Sequence, residues 1–275
     1  MMQKYKYLVA VILMVMLMSC GFKHPDMASG ELDSQAKQFV PSPSKSKIYI
    51  IRPSKFGGAG VELFPTINRY ASGTLASGSY MMLEIDPGEY TVSAAGNLQD
   101  PESIPINAKA GQLYFVQMYP KVKIGVIVAL SPGLQIETLN LADAKDLVRG
   151  LDRFKTVAHE SYVTEAAGPG AGTLYFIRPK TFYGAASNNK INPTVDARVA
   201  GSIEMGHCLK SSVRIGAHTI SAIGKFEGNS SLDLNIEKDK EYFITLTPKM
   251  GMVYPKLKLE LIDPKKNSQL TTNCR

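Results

Sequence analysis

The sequence predicts an all-β chain: two tandem antiparallel β-sandwich domains with one amphipathic helix at the joint. Two observations predict it. A stretch of roughly 90 residues occurs twice, and within each occurrence the apolar residues follow the periods of strands rather than helices. Ile48-Tyr49-Ile50-Ile51-Arg52-Pro53 recurs as Leu174-Tyr175-Phe176-Ile177-Arg178-Pro179, with four of six positions identical at an offset of 126. Phe56, Gly58 and Ala59 meet Phe182, Gly184 and Ala185 at the same offset. From Ser72 onward the offset is 128, and Gly73, Gly78, Gly88, Thr91, Ser93, Ala94 and Gly96 match Gly201, Gly206, Gly216, Thr219, Ser221, Ala222 and Gly224. Tyr114-Phe115 and Pro120-Lys121 then match Tyr242-Phe243 and Pro248-Lys249.

The chain begins with a short basic segment carrying Lys4 and Lys6, followed by an unbroken apolar run of 12 residues, Tyr7 to Met18. Crossing a bilayer takes ~20 residues, so this run fits the apolar part of a secretory signal over residues 1–19. It ends in Leu17-Met18-Ser19-Cys20-Gly21, which resembles the bacterial lipoprotein box, cut before the cysteine. The resemblance implies that Cys20 carries a diacylglyceryl group on sulfur and an acyl chain on its new amine. Two or more chains hold a protein stably on a membrane where one does not. The alternative is an ordinary cleaved signal peptide with an incidental cysteine. Gly21, where aspartate would otherwise stand, resembles the pattern for sorting to the outer membrane. Residues 20–46 are polar and broken by Pro25, Pro41 and Pro43, which predicts a lipid-anchored flexible tether.

The first sandwich is expected over residues 47–138. Ile48 to Ile51 is a β-branched and aromatic run that Arg52-Pro53 stops, because proline cannot donate to a ladder. Tyr80 to Ile85 leads through Asp86-Pro87-Gly88 into Tyr90 to Ala94, which reads as a hairpin. Its counterpart turns at Ile215-Gly216-Ala217 and keeps the glycine, as a backbone angle that only glycine adopts cheaply would require. Leu113 to Met118 and Tyr242 to Leu246 are further strands. Ile124 to Leu130 is almost wholly apolar, so a strand there needs cover on both faces, and exposed Ile127 and Val128 would count against it. Residues 139–172 form the joint. Asn140 can cap a helix with apolar positions Leu141, Ala144, Leu147, Val148, Leu151 and Phe154, before Gly168-Pro169-Gly170-Ala171-Gly172 breaks regular structure. The second sandwich and a tail occupy 173–275, where Leu257, Leu259 and Leu261 alternate with Lys256, Lys258 and Glu260 as a half-exposed strand near a sheet edge.

Read together, the Tyr-x-Ile-Arg-Pro strand, the Pro-Gly-Glu-Tyr-Thr turn and the Gly-x-x-Tyr-Phe strand resemble the bacterial lipoprotein domain catalogued as domain of unknown function 2846. That family is itself similar to transthyretin-like and carboxypeptidase-regulatory-like sandwiches. The resemblance covers about residues 47–138 and, more weakly, 173–263. It implies a lipoprotein with a β-sandwich body, and none of its motifs is a catalytic signature. In the second copy Ala217-His218 replaces Glu89-Tyr90, so a role tied to that pair does not carry over.

Composition narrows the function classes. With 44% hydrophobic and 20% charged residues the chain is neither disordered nor multi-spanning, and its net charge of +7 is spread without a dense basic run, so no nucleic-acid partner is expected. His24, His159, His207 and His218 sit in no metal-ligand spacing, so no metal or other cofactor is expected. His207-Cys208 suggests a thiol beside its base, but adjacent strand residues point to opposite faces. With Cys20 lipidated, Cys208 and Cys274 remain. They either pair, closing a 66-residue loop worth on the order of 4 kcal/mol, or stay as a buried thiol and a loose one. Phe56-Gly57-Gly58-Ala59-Gly60 lacks the Lys-Ser/Thr of a phosphate loop and reads as turn chemistry. Arg52 and Arg178, at strand ends, either grip a carboxylate or phosphate or bond a loop carbonyl or an acid such as Glu89. Tyr49, Tyr114, Tyr175 and Tyr242 either stack on sugars or fill the core.

The expected function is therefore a non-enzymatic scaffold or binding module. It is held by the lipid on Cys20 in the bacterial cell envelope, at the outer membrane facing the periplasm or at the cell surface. Its partner would be an envelope protein, peptidoglycan or a glycan. Two alternatives stand beside it: an enzyme accessory or weak hydrolase with a site between the sandwiches, and a carbohydrate-binding module, which the absence of tryptophan disfavours.

Overall fold

The computed structural model describes residues 27–54, 61–96, 98, 101–121, 133–157, 170–180, 190–224, 226–228, 230–252 and 255–274. The expectations for the signal segment, Cys20, His24, the Phe56 and Phe182 loops, Ile124 to Leu130 and His159 lie outside the described residues.

The fold is an all-β sandwich type with few helices. In the first half, β1 (Ser46–Arg52) pairs antiparallel with β4 (Ser79–Ile85) and parallel with β7 (Leu113–Lys121). The five-stranded sheet is completed by β8 (Gly133–Thr138) beside β7 and the two-residue β9 (Asp152–Arg153) beside β4. Facing it are β2 (Phe64–Ile67), β3 (Tyr70–Ala71), β5 (Gly88–Ala95) and β6 (Ile104–Ala108). The period of two decides what β1 buries. Ile48 and Ile50 point into the core with Met81, Leu83, Val92 and Val116, while Tyr49 and Ile51 point out into a second apolar layer. Each such side chain contributes about 1.5–3 kcal/mol of burial, and a strand covered on both faces explains the unbroken apolar run.

The second half repeats this order. β10 (Gly172–Ile177), β13 (Cys208–Val213), β16 (Glu241–Lys249) and β17 (Lys256–Ile262) stand in the places of β1, β4, β7 and β8. β11 (Asn192–Val195), β12 (Arg198–Val199), β14 (Gly216–Ile223) and β15 (Leu232–Ile236) take those of β2, β3, β5 and β6. β10 and β16 are again parallel, so neither half is purely antiparallel. The alternation read in β17 holds over its first half, where Leu257 and Leu259 are buried, and fails at Leu261, which is exposed beside Glu260.

The Asp86-Pro87-Gly88 turn does not make a hairpin. β4 and β5 belong to different sheets, and β13 and β14 repeat the arrangement. The bend carries the chain across the core, so that Leu83 and Val92 meet as opposite walls rather than as cross-strand neighbours. Gly216, at φ +125°, holds the angle that keeps glycine at the second of these bends.

The halves are not separate beads. β3 and β12 pair antiparallel at Tyr70 and Arg198, joining the two facing sheets into one of eight strands. Ala71 N donates to Ala197 O (3.2 Å) and Val199 N to Arg69 O (2.9 Å), a self-complementary pair of bonds. Asn192, buried at the start of β11, donates its Nδ2 to Gly96 O across the halves (3.2 Å). Each seam strand is presented by a two-residue turn with both residues in the left-handed region: Asn68 and Arg69, then Asp196 and Ala197. Such turns match the twist of the flanking strands.

The tether expected over residues 20–46 is corrected at its C-terminal end. Helix α1 (Gly30–Ala36) is capped by Ser29, whose hydroxyl accepts from Leu32 N. Ala36 and Phe39 are buried on the outer face of the first sheet, and Met27 forms a bridge with Phe154. A buried alanine and phenylalanine in so short a segment leave no long periodic pattern, which is why the segment reads as a stalk. Helix α2 (Leu141–Arg149) is capped by Asn140, whose Oδ1 accepts from Asp143 N (3.0 Å), and buries Ala144 and Val148. It ends at Gly150; Leu151 and Phe154 lie beyond it, flanking β9.

Candidate functional site

The two strand-end arginines are built into the fold. Arg52 and Arg178 are 1% and 3% exposed. Arg52 donates through one terminal nitrogen to Leu75 O (2.8 Å), and Arg178 in the same way to Ile203 O (3.3 Å), a carbonyl 128 positions further on. Burial pushes the Arg52 guanidinium down to about 10 against the opposing pull of Glu62, and lowers Arg178 against Glu204. Of the two readings, the bond to a loop carbonyl is what the geometry shows, and the acids nearby are Glu62 and Glu204 rather than Glu89.

The same offset relates a set of side-chain bonds. The Tyr114 hydroxyl donates to Asn107 O (2.8 Å) and accepts from Lys109 N; Tyr242 donates to Asn235 O (3.1 Å) and accepts from Glu237 N. Ser93 donates to Glu102 O, as Ser221 does to Ser230 O. Asn68 Oδ1 accepts from Thr91 N, and Asp196 Oδ1 from Thr219 N. Tyr90 donates to Asp86 O (2.9 Å), and where His218 replaces that tyrosine its Nε2 lies 2.9 Å from Arg214 O. His218 Nδ1 lies 2.6 Å from Asp196 Oδ2. The imidazole therefore links a turn residue to a bend carbonyl, which is the tyrosine's structural position with one added contact.

Cys208 and Cys274 form a disulfide, with Cα atoms 5.4 Å apart. His207, next in sequence, places Nδ1 3.2 Å from Met205 O. Among the described residues there is no cluster of three or more His, Cys, Asp or Glu that could hold a metal ion. No helix among them is long and apolar enough to cross a membrane.

The arrangement that the sequence did not disclose is the outer face of the first sheet. Tyr49 and Phe115 stack with centroids 5.1 Å apart, and Phe39 packs on both. The Tyr49 hydroxyl donates to Ala36 O (2.7 Å), and the Tyr80 hydroxyl to Asp33 Oδ1 (2.7 Å). Lys37 Nζ donates to Leu151 O, and Arg153 to Leu32 O. Burial pushes Tyr49 up to about 12, partly offset by Arg153; burial and the bond to Asp33 also raise Tyr80.

The raised Tyr49 sets a pH dependence. The folded state favours the protonated phenol, so its contribution is fully present below about 10 and is lost as pH rises toward about 12. The loss from Tyr49 is expected to reach about 2–3 kcal/mol, and Tyr49→Phe should make the slope shallower without abolishing it, because Tyr80 is raised as well. Denaturation midpoints measured across that interval, alongside phenolate absorbance, check this; equal slopes in parent and variant would exclude Tyr49 as the source.

Residues 42–132, from the segment before β1 to the connection after β7, match the model of a family described as a protein of unknown function (DUF2846). No curated protein matches the chain.

Proposed function

We propose that the chain is a bacterial envelope lipoprotein, anchored through Cys20 at the outer membrane. Its two copies of the family's domain serve as a non-enzymatic scaffold or binding module for an envelope protein or cell-wall partner. The observation that carries the reading is Ser19-Cys20 directly after two lysines and the twelve apolar residues that end in Leu17-Met18. The Cys208–Cys274 bond supports a compartment outside the reducing cytosol. The bonds repeated at an offset of 128 support a second copy over 173–263. A non-catalytic role is supported by the bonding of Arg52, Arg178, Tyr114, Tyr242 and His218, each of which bonds a carbonyl of the fold itself.

The anchoring is tested by Cys20→Ala. The parent chain is expected in the membrane fraction with a mature N-terminus at an acylated Cys20; the variant should lose both the acyl mass and the membrane association. A variant that remained membrane-bound at unchanged mass would overturn the assignment. The scaffold role is tested by cross-linking in living cells, where a recurrent envelope partner is expected and turnover of a small-molecule substrate by the purified chain would count against it.

A further inference from the structure

The outer faces of the two halves carry the same aromatic pair under different covers. Tyr175 and Phe243 stack at 4.7 Å, as Tyr49 and Phe115 do at 5.1 Å. In the first half the cover is α1 and α2, and α1 is fixed by hydrogen bonds from Tyr49, Tyr80 and Arg153. In the second half it is a short segment after β17: helix α3 (Ser268–Thr271) and a 3-10 turn, Thr272–Cys274. Leu270 and Cys274 pack there against Tyr175, Ile177 and Phe243, which are 2%, 3% and 2% exposed.

How that segment is held differs from α1. Among the described residues, its hydrogen bonds stay within itself: Asn267 N to Asp263 O, Leu270 N to Asn267 O, and the Thr271 and Thr272 hydroxyls to Ser268 O. A four-residue helix has no stability of its own, because nucleation costs more than one turn returns. Apart from apolar contact, the segment is joined to the sheet by the covalent Cys208–Cys274 bond, which ties it to the first residue of β13.

We propose that this segment is a redox-held lid, which a dithiol reductant releases from the aromatic face of the second half. A thiolate of the reductant attacks one sulfur of the Cys208–Cys274 bond, which breaks as a mixed disulfide forms, and the displaced sulfur takes a proton. The reductant's second thiol, giving up its proton, displaces the other cysteine. The protein gains two electrons and two protons, and the reductant leaves as its own disulfide. Freed of the bond, the segment leaves Tyr175, Ile177 and Phe243 as an apolar face flanked by Lys210, whose Nζ lies over the Tyr175 ring, and Glu241, which accepts from the Tyr175 hydroxyl. β10 and β16 remain hydrogen-bonded in the interior of their sheet.

Hydrogen exchange read by mass spectrometry tests this on the full chain, oxidised, treated with dithiothreitol, and as Cys274→Ser. Reduction and the substitution are both expected to speed exchange over residues 264–274 by about tenfold or more and to leave β10 and β16 protected. Binding of an apolar dye should rise in parallel. Unchanged exchange in the segment after complete reduction would overturn the proposal, since packing alone would then hold it. Loss of protection throughout β10 and β16 would also overturn it, since the bond would then secure the whole sandwich.

Discussion

An Arg52→Ala variant is expected to be about 2–3 kcal/mol less stable than the parent chain. Three effects set the figure. Removing a buried long side chain leaves a cavity, with a cost of about 2–5 kcal/mol for comparable truncations. The Leu75 carbonyl keeps its bond from Leu63 N (3.3 Å) but loses the charged donor at 2.8 Å, at about 1.5–3 kcal/mol for a bond to a charged group. Against these, a guanidinium that burial has pushed down to about 10 is costly to keep charged, and its removal returns roughly 3 kcal/mol. Arg52→Met keeps most of the stem's packing and should lose only about 1 kcal/mol. Denaturant midpoints at a constant slope measure both. An alanine variant as stable as the parent would show that the arginine does not hold β1 to the loop of Leu75.

Gly73→Ala should cost a comparable amount, about 3 kcal/mol or more, and its counterpart Gly201→Ala much less. Gly73 lies at φ +127°, in the region that disfavours any side chain. A Cβ there would stand 2.7 Å from Met81 Cε and 2.9 Å from the Lys155 carbonyl. The methionine tip can move, whereas the carbonyl belongs to the chain leaving β9, so the segment that covers the sheet edge must shift with it. At Gly201 the three atoms nearest a Cβ all belong to the Leu209 side chain, the closest at 2.7 Å, and a leucine rotamer change relieves the contact. A cost of about 1 kcal/mol is expected there. Thermal or denaturant unfolding of the two variants side by side tests the asymmetry, and equal losses would exclude the Lys155 backbone as the cause.

The all-β class was legible because β1 and β10 are covered on both faces and therefore appear as uninterrupted apolar runs closed by Arg-Pro. The structural repeat was legible in Gly78, Gly88 and Tyr114, residues whose angles or hydroxyls the fold uses again at Gly206, Gly216 and Tyr242. The features without a sequence signal are short or non-local. β3 and β12 have two residues each, too few to show a period, yet they join the halves. α1 buries a single residue within its seven, and its anchors, Tyr49, Tyr80 and Arg153, lie far along the chain. The turn at Pro87 marks a change of direction equally well for a hairpin and for a crossing between sheets, and only the pairing of β4 with β1 decides between them. Arg52 and Arg178 illustrate the same limit. A strand-end guanidinium reads alike whether it faces solvent or the underside of a loop, because burial depends on which segment folds over it.

The bridge between Met27 and Phe154 fixes where the body begins. Six residues, 21–26, separate it from Cys20, and fully stretched they reach only about 20 Å. With the acyl chains we propose on Cys20, that contour length is less than the ~40 Å depth of a lipid bilayer. Such a molecule moors its first half close against the headgroups, with no rope to pay out across an aqueous gap, and whatever engages it must approach that narrow zone.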